Sequence, residues 1–196
     1  MSRRRSGGRR GRGMTLMETL LATLILALLS AVVLSGSRAS VSSYEEGTFA
    51  AESGNVSALI NTALSDVLRY AASVTVDDAG AVTAYSAPEY GITDGRVCVG
   101  SQESDRGRIY LKYDPQDGKK SAALLSDLSY AGLSVVSADN TYQLNADGSA
   151  VFALTYADGV FTGSYRLCNP SSGQLSDPIT FHYRSVNSVA ATPAGG

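Results

Sequence analysis

The sequence contains one histidine, His182, two cysteines, Cys98 and Cys168, and no proline before Pro88. Each scarcity removes a class of function. His182 sits in the alternating stretch Ile179-Thr180-Phe181-His182-Tyr183-Arg184, which reads as a structural or exposed strand residue rather than a general base. Two cysteines and one histidine without close spacing do not make a zinc motif. No glycine-rich phosphate loop follows a strand, and serine is too common here to mark a nucleophile. Asp114, Asp117 and Gly118, and Asn145, Asp147 and Gly148, supply oxygen ligands in turns, but neither set matches an EF-hand loop, and hairpin turns use the same residues for positive φ. The expectation is a protein with no catalytic residue, no metal site and no cofactor, not an enzyme.

Positive charge is also scarce outside one place. Arg3, Arg4, Arg5, Arg9, Arg10 and Arg12 all lie in the first 12 residues, so removing them from the 16 basic residues leaves 10 against 18 acidic ones, a net charge of −8. A domain of that sign repels phosphates, which argues against nucleic acid as a partner through bulk charge. Arg106, Arg108, Lys112, Lys119 and Lys120 fall close in sequence, but scattered bases on strands and turns usually form a solvated face. The arginine-rich start alone would suit a nucleic-acid-binding tail, yet it directly precedes an apolar run, where a topological role fits better.

That run, residues 14–34, is about 21 residues or roughly 31 Å as a helix, the thickness of a bilayer core. Its single charge is Glu18, and an acid within a membrane segment is a functional hypothesis by default. A secretory signal has a shorter apolar centre and a small-residue cleavage site. An ordinary signal anchor requires neither the glycine before the run nor the acid inside it. A twin-arginine signal has only the arginine pairs in its favour.

The junction Gly13-Met14-Thr15-Leu16-Met17-Glu18 resembles the start of the type IV pilin and type II secretion pseudopilin superfamily, whose pattern is close to Gly-Phe-Thr-Leu-Ile-Glu. Methionine replaces the commoner residue at Met14 and Met17, both apolar exchanges. The resemblance covers residues 14–34 and the leader, and it says little about the remaining chain. It implies cleavage after Gly13 by a prepilin peptidase that also methylates the new Met14 amine. Glu18 would then be the assembly residue. Residues four apart share a helix face, so a staggered subunit could offer its Met14 amine to a neighbour's Glu18. The implied partners are the peptidase/methyltransferase, other pilin subunits, an inner-membrane assembly platform and membrane lipid before assembly. The leader arginines keep the N-terminus inside by the positive-inside rule, giving a single-pass cytoplasmic membrane protein that becomes an extracellular or periplasmic filament.

The implied fold is α+β: a long N-terminal helix, transmembrane in its first half and amphipathic in its second, packed on an antiparallel β-sheet. The segments are a basic leader at 1–13, an assembly helix at 14–35, an amphipathic continuation at 36–72, an exterior β domain at 73–186 and a flexible tail at 187–196. Glycine and serine at 35–54 predict a helix able to bend or melt, since Gly47 and Gly54 each cost about 1 kcal/mol relative to alanine. From Val56 the period is helical through Leu59, Ile60, Ala63, Leu64, Val67, Leu68 and Ala71. Strands are expected at 73–76, 81–85, 96–99, 108–113, 129–136, 141–144, 150–156, 160–167 and 179–184. Asp147-Gly148 and Asp158-Gly159 mark hairpin turns in a meander, while 86–94 and 169–178 read as loops.

An oxidising exterior permits one disulfide between Cys98 and Cys168, closing a loop of about 70 residues worth roughly 4 kcal/mol in the chain-entropy model; two buried thiols are the alternative. The length leaves one exterior domain with its own core. The resulting expectation is a structural subunit, minor rather than major, of a pilus or pseudopilus. A membrane-anchored extracellular binding module that never polymerises is the second reading, and an enzyme is third.

Overall fold

The computed structural model describes residues 15–114, 119–138, 150–187 and 191–193. One helix, α1 (Leu16–Arg69), precedes twelve short strands. The chain divides after Gly47 into two units. In the first, residues 15–47 are exposed.

α1 is helical without interruption through Gly36, Gly47 and Gly54. No proline interrupts it, and adding residues to an existing helix is far easier than nucleating one. Ala71, two residues past the helix, is the last buried position of the predicted helical stripe. The expected apolar face is real but narrower than the period suggested. Ser53, Val56, Ile60, Leu64, Val67 and Leu68 are buried, whereas Leu59 is exposed.

The second unit holds three four-stranded sheets where a single sheet was expected. In the first, β1 (Ser73–Val76) pairs antiparallel with β2 (Val82–Ala87), which pairs antiparallel with β3 (Ile92–Gly95). In the next, β4 (Cys98–Val99), β5 (Ile109–Asp114) and β6 (Lys119–Ala123) are antiparallel, and β8 (Ala150–Val151) joins β4. In the last, β10 (Val160–Cys168) pairs antiparallel with β7 (Ser134–Val136), β9 (Leu154–Ala157) and β11 (Ile179–Arg184). The layout is thus α+β with antiparallel pairing dominant.

The strand β10 shows why its residues make a strand. Phe161, Gly163, Tyr165 and Leu167 point inward and alternate with half-buried neighbours, the period of two that a one-sided sheet requires. Asp158 and Gly159 both have positive φ, 52° and 78°, as a two-residue type I′ hairpin demands.

Two strand expectations and one loop expectation need correction. Residues 129–136 divide into a 3-10 turn (Asp127–Tyr130) and β7, because Ala131 and Gly132 at φ 49° and 78° break the extended backbone. Residues 150–156 divide at Phe152 and Ala153, since β8 pairs with β4 while β9 pairs with β10. The supposed loop at 86–94 contains a second 3-10 turn (Pro88–Tyr90) and the start of β3. The strand expected at 141–144 and the Asp147-Gly148 turn lie outside the described residues.

The tail is also not frayed throughout. Val186 N–H donates to Arg69 O at 2.8 Å, and Asn187 Nδ2 donates to Tyr70 O at 3.3 Å and Ala71 O at 3.1 Å. These contacts satisfy carbonyls that the end of a helix leaves open. Beyond them β12 (Ala191–Pro193) adds to β1 in parallel.

The helix stripe and the sheets share one core. Ile60, Leu64 and Leu68 meet Tyr85, Ile109, Phe161, Tyr165 and Leu167, all essentially inaccessible to water. Asn61 is a half-buried polar residue on this side of the helix. Its Oδ1 accepts hydrogen bonds from Tyr165 Oη and Tyr183 Oη, both at 3.2 Å, and Tyr165 Oη also lies 3.3 Å from Ser57 O.

Burial of the tyrosines makes the fold sensitive to alkali. Desolvation raises the hydroxyl pKa of Tyr85 and Tyr165 well above the usual tyrosine value and pushes Tyr183 up to about 12. A pKa raised in the folded state favours unfolding once the unfolded chain begins to ionise near pH 10. Stability is therefore complete below about pH 10 and declines through pH 12. Each of the buried pair, Tyr85 and Tyr165, contributes a loss of up to about 1.4 kcal/mol per pH unit. Denaturant melts at pH 8, 10 and 11 should show a steepening decline, and Tyr183→Phe should lessen it; a flat profile would contradict the assignment.

Candidate functional site

Thr15 and Glu18 build the start of α1. The Glu18 N–H donates to Thr15 Oγ1 at 3.3 Å and lies 2.9 Å from Thr15 O. Thr-Leu-Met-Glu is the Thr-x-x-Glu spacing of a capping box, in which the threonine serves an amide left open by the first turn. An acid in that turn also faces the positive end of the helix dipole. Sequence reasoning had given Glu18 only an assembly role, although the capping signal was present in the same four residues. Gly13 and Met14 lie outside the described residues.

From Leu16 to Leu34 the large apolar side chains are between 50% and 83% exposed. Among the described residues nothing covers this part of α1, and the helix is long and apolar enough to cross a membrane. Its hydroxyls suit an apolar surrounding as well. Thr19, Thr23, Ser30 and Ser35 donate to Leu16 O, Leu20 O, Leu26 O and Val32 O at 2.8 to 2.9 Å. Polar groups satisfied within the helix need no water. Glu18 is the sole charge among residues 15–37, and no cation pairs with it among the described residues.

The second unit offers little convergent chemistry among its described residues. An open groove of about 420 Å³ lies between Phe49, Ala50, Ser53, Gly54 and Ser57 of α1 and residues 175–179, with Asp177 its one ionisable residue. His182 is exposed on β11, with Nδ1 3.1 Å from Thr162 Oγ1. Two members of the basic cluster are engaged internally. Arg108 Nε pairs with Asp127 Oδ1 at 3.1 Å, its Nη1 donates to Leu133 O at 2.7 Å, and the guanidinium sits 4.5 Å over the Tyr130 ring. Lys120 Nζ contacts Asp105 Oδ2, with both side chains 15% exposed. Among the described residues no group of three His, Cys, Asp or Glu side chains could hold a metal ion.

The structure holds Cys98 and Cys168 as thiols rather than as a disulfide. Cys98 is buried on β4, while Cys168 ends β10 in a different sheet. Burial raises the Cys168 thiol pKa, which keeps it protonated and slow to react.

These elements define a class: a protein with a long helix, uncovered and apolar in its first half and packed on an antiparallel-rich domain in its second. Scans against protein-family models, curated proteins and solved structures return no match to the chain.

Proposed function

We propose that the chain is a structural subunit, minor rather than major, of a type IV pilus or pseudopilus. It is made as a single-pass membrane precursor, cut after Gly13 by a prepilin peptidase, methylated at Met14 and polymerised through α1. One observation carries this reading: the segment from Leu16 to Leu34 is exposed and bears a single acid in its first turn, while from Ser53 onward the same helix buries one stripe in the core. A soluble monomer rarely leaves so large an apolar surface bare. Lipid covers it before assembly, and the helices of other subunits, delivered by an inner-membrane platform, cover it afterwards. The job is mechanical, and no enzymatic activity is assigned to the exterior unit.

The place of Glu18 in the first turn, facing the positive end of its own helix dipole, favours a second reading, a membrane-anchored extracellular module that never polymerises. There Glu18 serves only its own helix.

N-terminal peptide mass spectrometry of membrane and sheared-surface fractions tests the proposal. A chain that starts at N-methyl-Met14 and occurs in the sheared fraction supports the subunit; an intact leader supports the anchored module. Gly13→Leu is expected to block processing, because the peptidase needs a small residue before the cut. Mature-size protein from that variant would remove the peptidase from the account.

A further inference from the structure

We propose that the outer edge of β1 is a strand-exchange site, and that its second occupant is β12 of a neighbouring copy. In the structure β1 accepts β12 of its own chain, with Val74 opposite Ala191, Thr75 opposite Thr192 and Val76 opposite Pro193. The edge is therefore already complementary to this segment.

The hold on β12 is weak for reasons present in its residues. All three side chains are exposed, so the strand buries no apolar group to retain it. Pro193 has no N–H and donates nothing to the ladder. Val186 and Asn187, earlier in the chain, make hydrogen bonds of their own that close the end of α1. Release of β12 thus leaves those contacts and the core untouched, as expected for a unit at the low end of local stability. Once released, it exposes the edge of a paired strand, a ready template for another chain. An identical segment from a second copy fits that edge in the same register, which is the logic of a segment swap.

The inference rests on the assembly reading only for the closeness of copies. In a filament the neighbour's strand is held at high effective concentration, so exchange costs little beyond the opening of the three-residue ladder. The effect would be a backbone link between subunits, additional to any packing of α1.

Directly opposed residues of parallel strands lie on one sheet face at disulfide-compatible spacing, so Thr75 and Thr192 give the test. Full-length Thr75→Cys and Thr192→Cys chains are co-expressed in the host, oxidised mildly and separated without reductant. Linked peptides are then identified by mass spectrometry. The expected result is a dimer joined through positions 75 and 192 that needs both variants. The double variant, expressed alone, reports whether β12 closes on its own β1. Closure only within one chain, or no 75–192 link in any sample, overturns the exchange. Sheared filaments without the mixed link reject exchange while leaving the subunit reading intact. A mixed link in membranes that yield no filament supports exchange and rejects the subunit reading.

Discussion

Glu18→Gln is expected to remove the protein from the sheared-surface fraction by at least tenfold while leaving the precursor inserted and cut. Thr15→Ala is expected to leave that fraction nearly unchanged. The pair separates two roles of one side chain. Glutamine can occupy the same position of a capping box but carries no charge, so it preserves the helix start and deletes the proposed partner for a neighbour's Met14 amine. Alanine at 15 does the opposite. It removes the Oγ1 that lies 3.3 Å from the Glu18 N–H, at a cost of about 1 kcal/mol, and keeps the carboxylate. An unpaired ion within an apolar assembly is expensive, so under the proposed assembly the charge would decide whether neighbouring helices dock. Quantitative immunoblots of sheared and membrane fractions provide the measurement. Equal assembly of Glu18→Gln and wild type would reduce Glu18 to a cap and favour the anchored module.

Gly107→Ala is expected to destabilise the second unit by about 3 kcal/mol or more. Gly107 has φ 73°, and a Cβ there would sit 2.4 Å from Ser134 Cβ, 2.6 Å from Ser134 Cα and 2.7 Å from Val135 N. Two of those atoms are backbone, so β7 itself must move. Movement also disturbs the bonds from Val135 N–H to Gly107 O and from Gly107 N–H to Gly100 O. Gly132 is the control, with φ 78° but no atom within 4 Å of its added Cβ. Gly132→Ala should therefore show backbone strain alone, about 1 to 2 kcal/mol. In thermal melts of the full chain in detergent, Gly107→Ala should fall roughly 6 °C or more below wild type. Equal shifts for the two variants would show that β7 accommodates the methyl group freely.

Legibility of this chain followed the range of the forces involved. The apolar run, the stripe from Val56 to Leu68 and the Asp158-Gly159 turn were readable because each depends on residues a few positions apart. The inward alternation of β10 was readable for the same reason. Ala131 and Gly132 ended a predicted strand through left-handed backbone, and the β-branched, apolar composition around them hid the break. Phe152 and Ala153 looked continuous with their flanks, yet the chain changes sheet there, a choice made by distant partners. Asn187 read as the start of a loose tail because its acceptors, Tyr70 O and Ala71 O, lie more than a hundred residues away in sequence. At the candidate site, Glu18 was legible as an exceptional charge. Thr15 was overlooked because the acid drew attention away from the short-range cap beside it.

Asn61 has a consequence for how the protein would bear load. It is the point where α1 is fastened by hydrogen bonds to two neighbouring strands, through Tyr165 on β10 and Tyr183 on β11. Traction applied along the helix axis would strain both bonds at once, and the leucines and valines beside them can slide where hydrogen bonds cannot. In the proposed filament Asn61 would thus act as a detent, sharing tension from the helix between two adjacent strands.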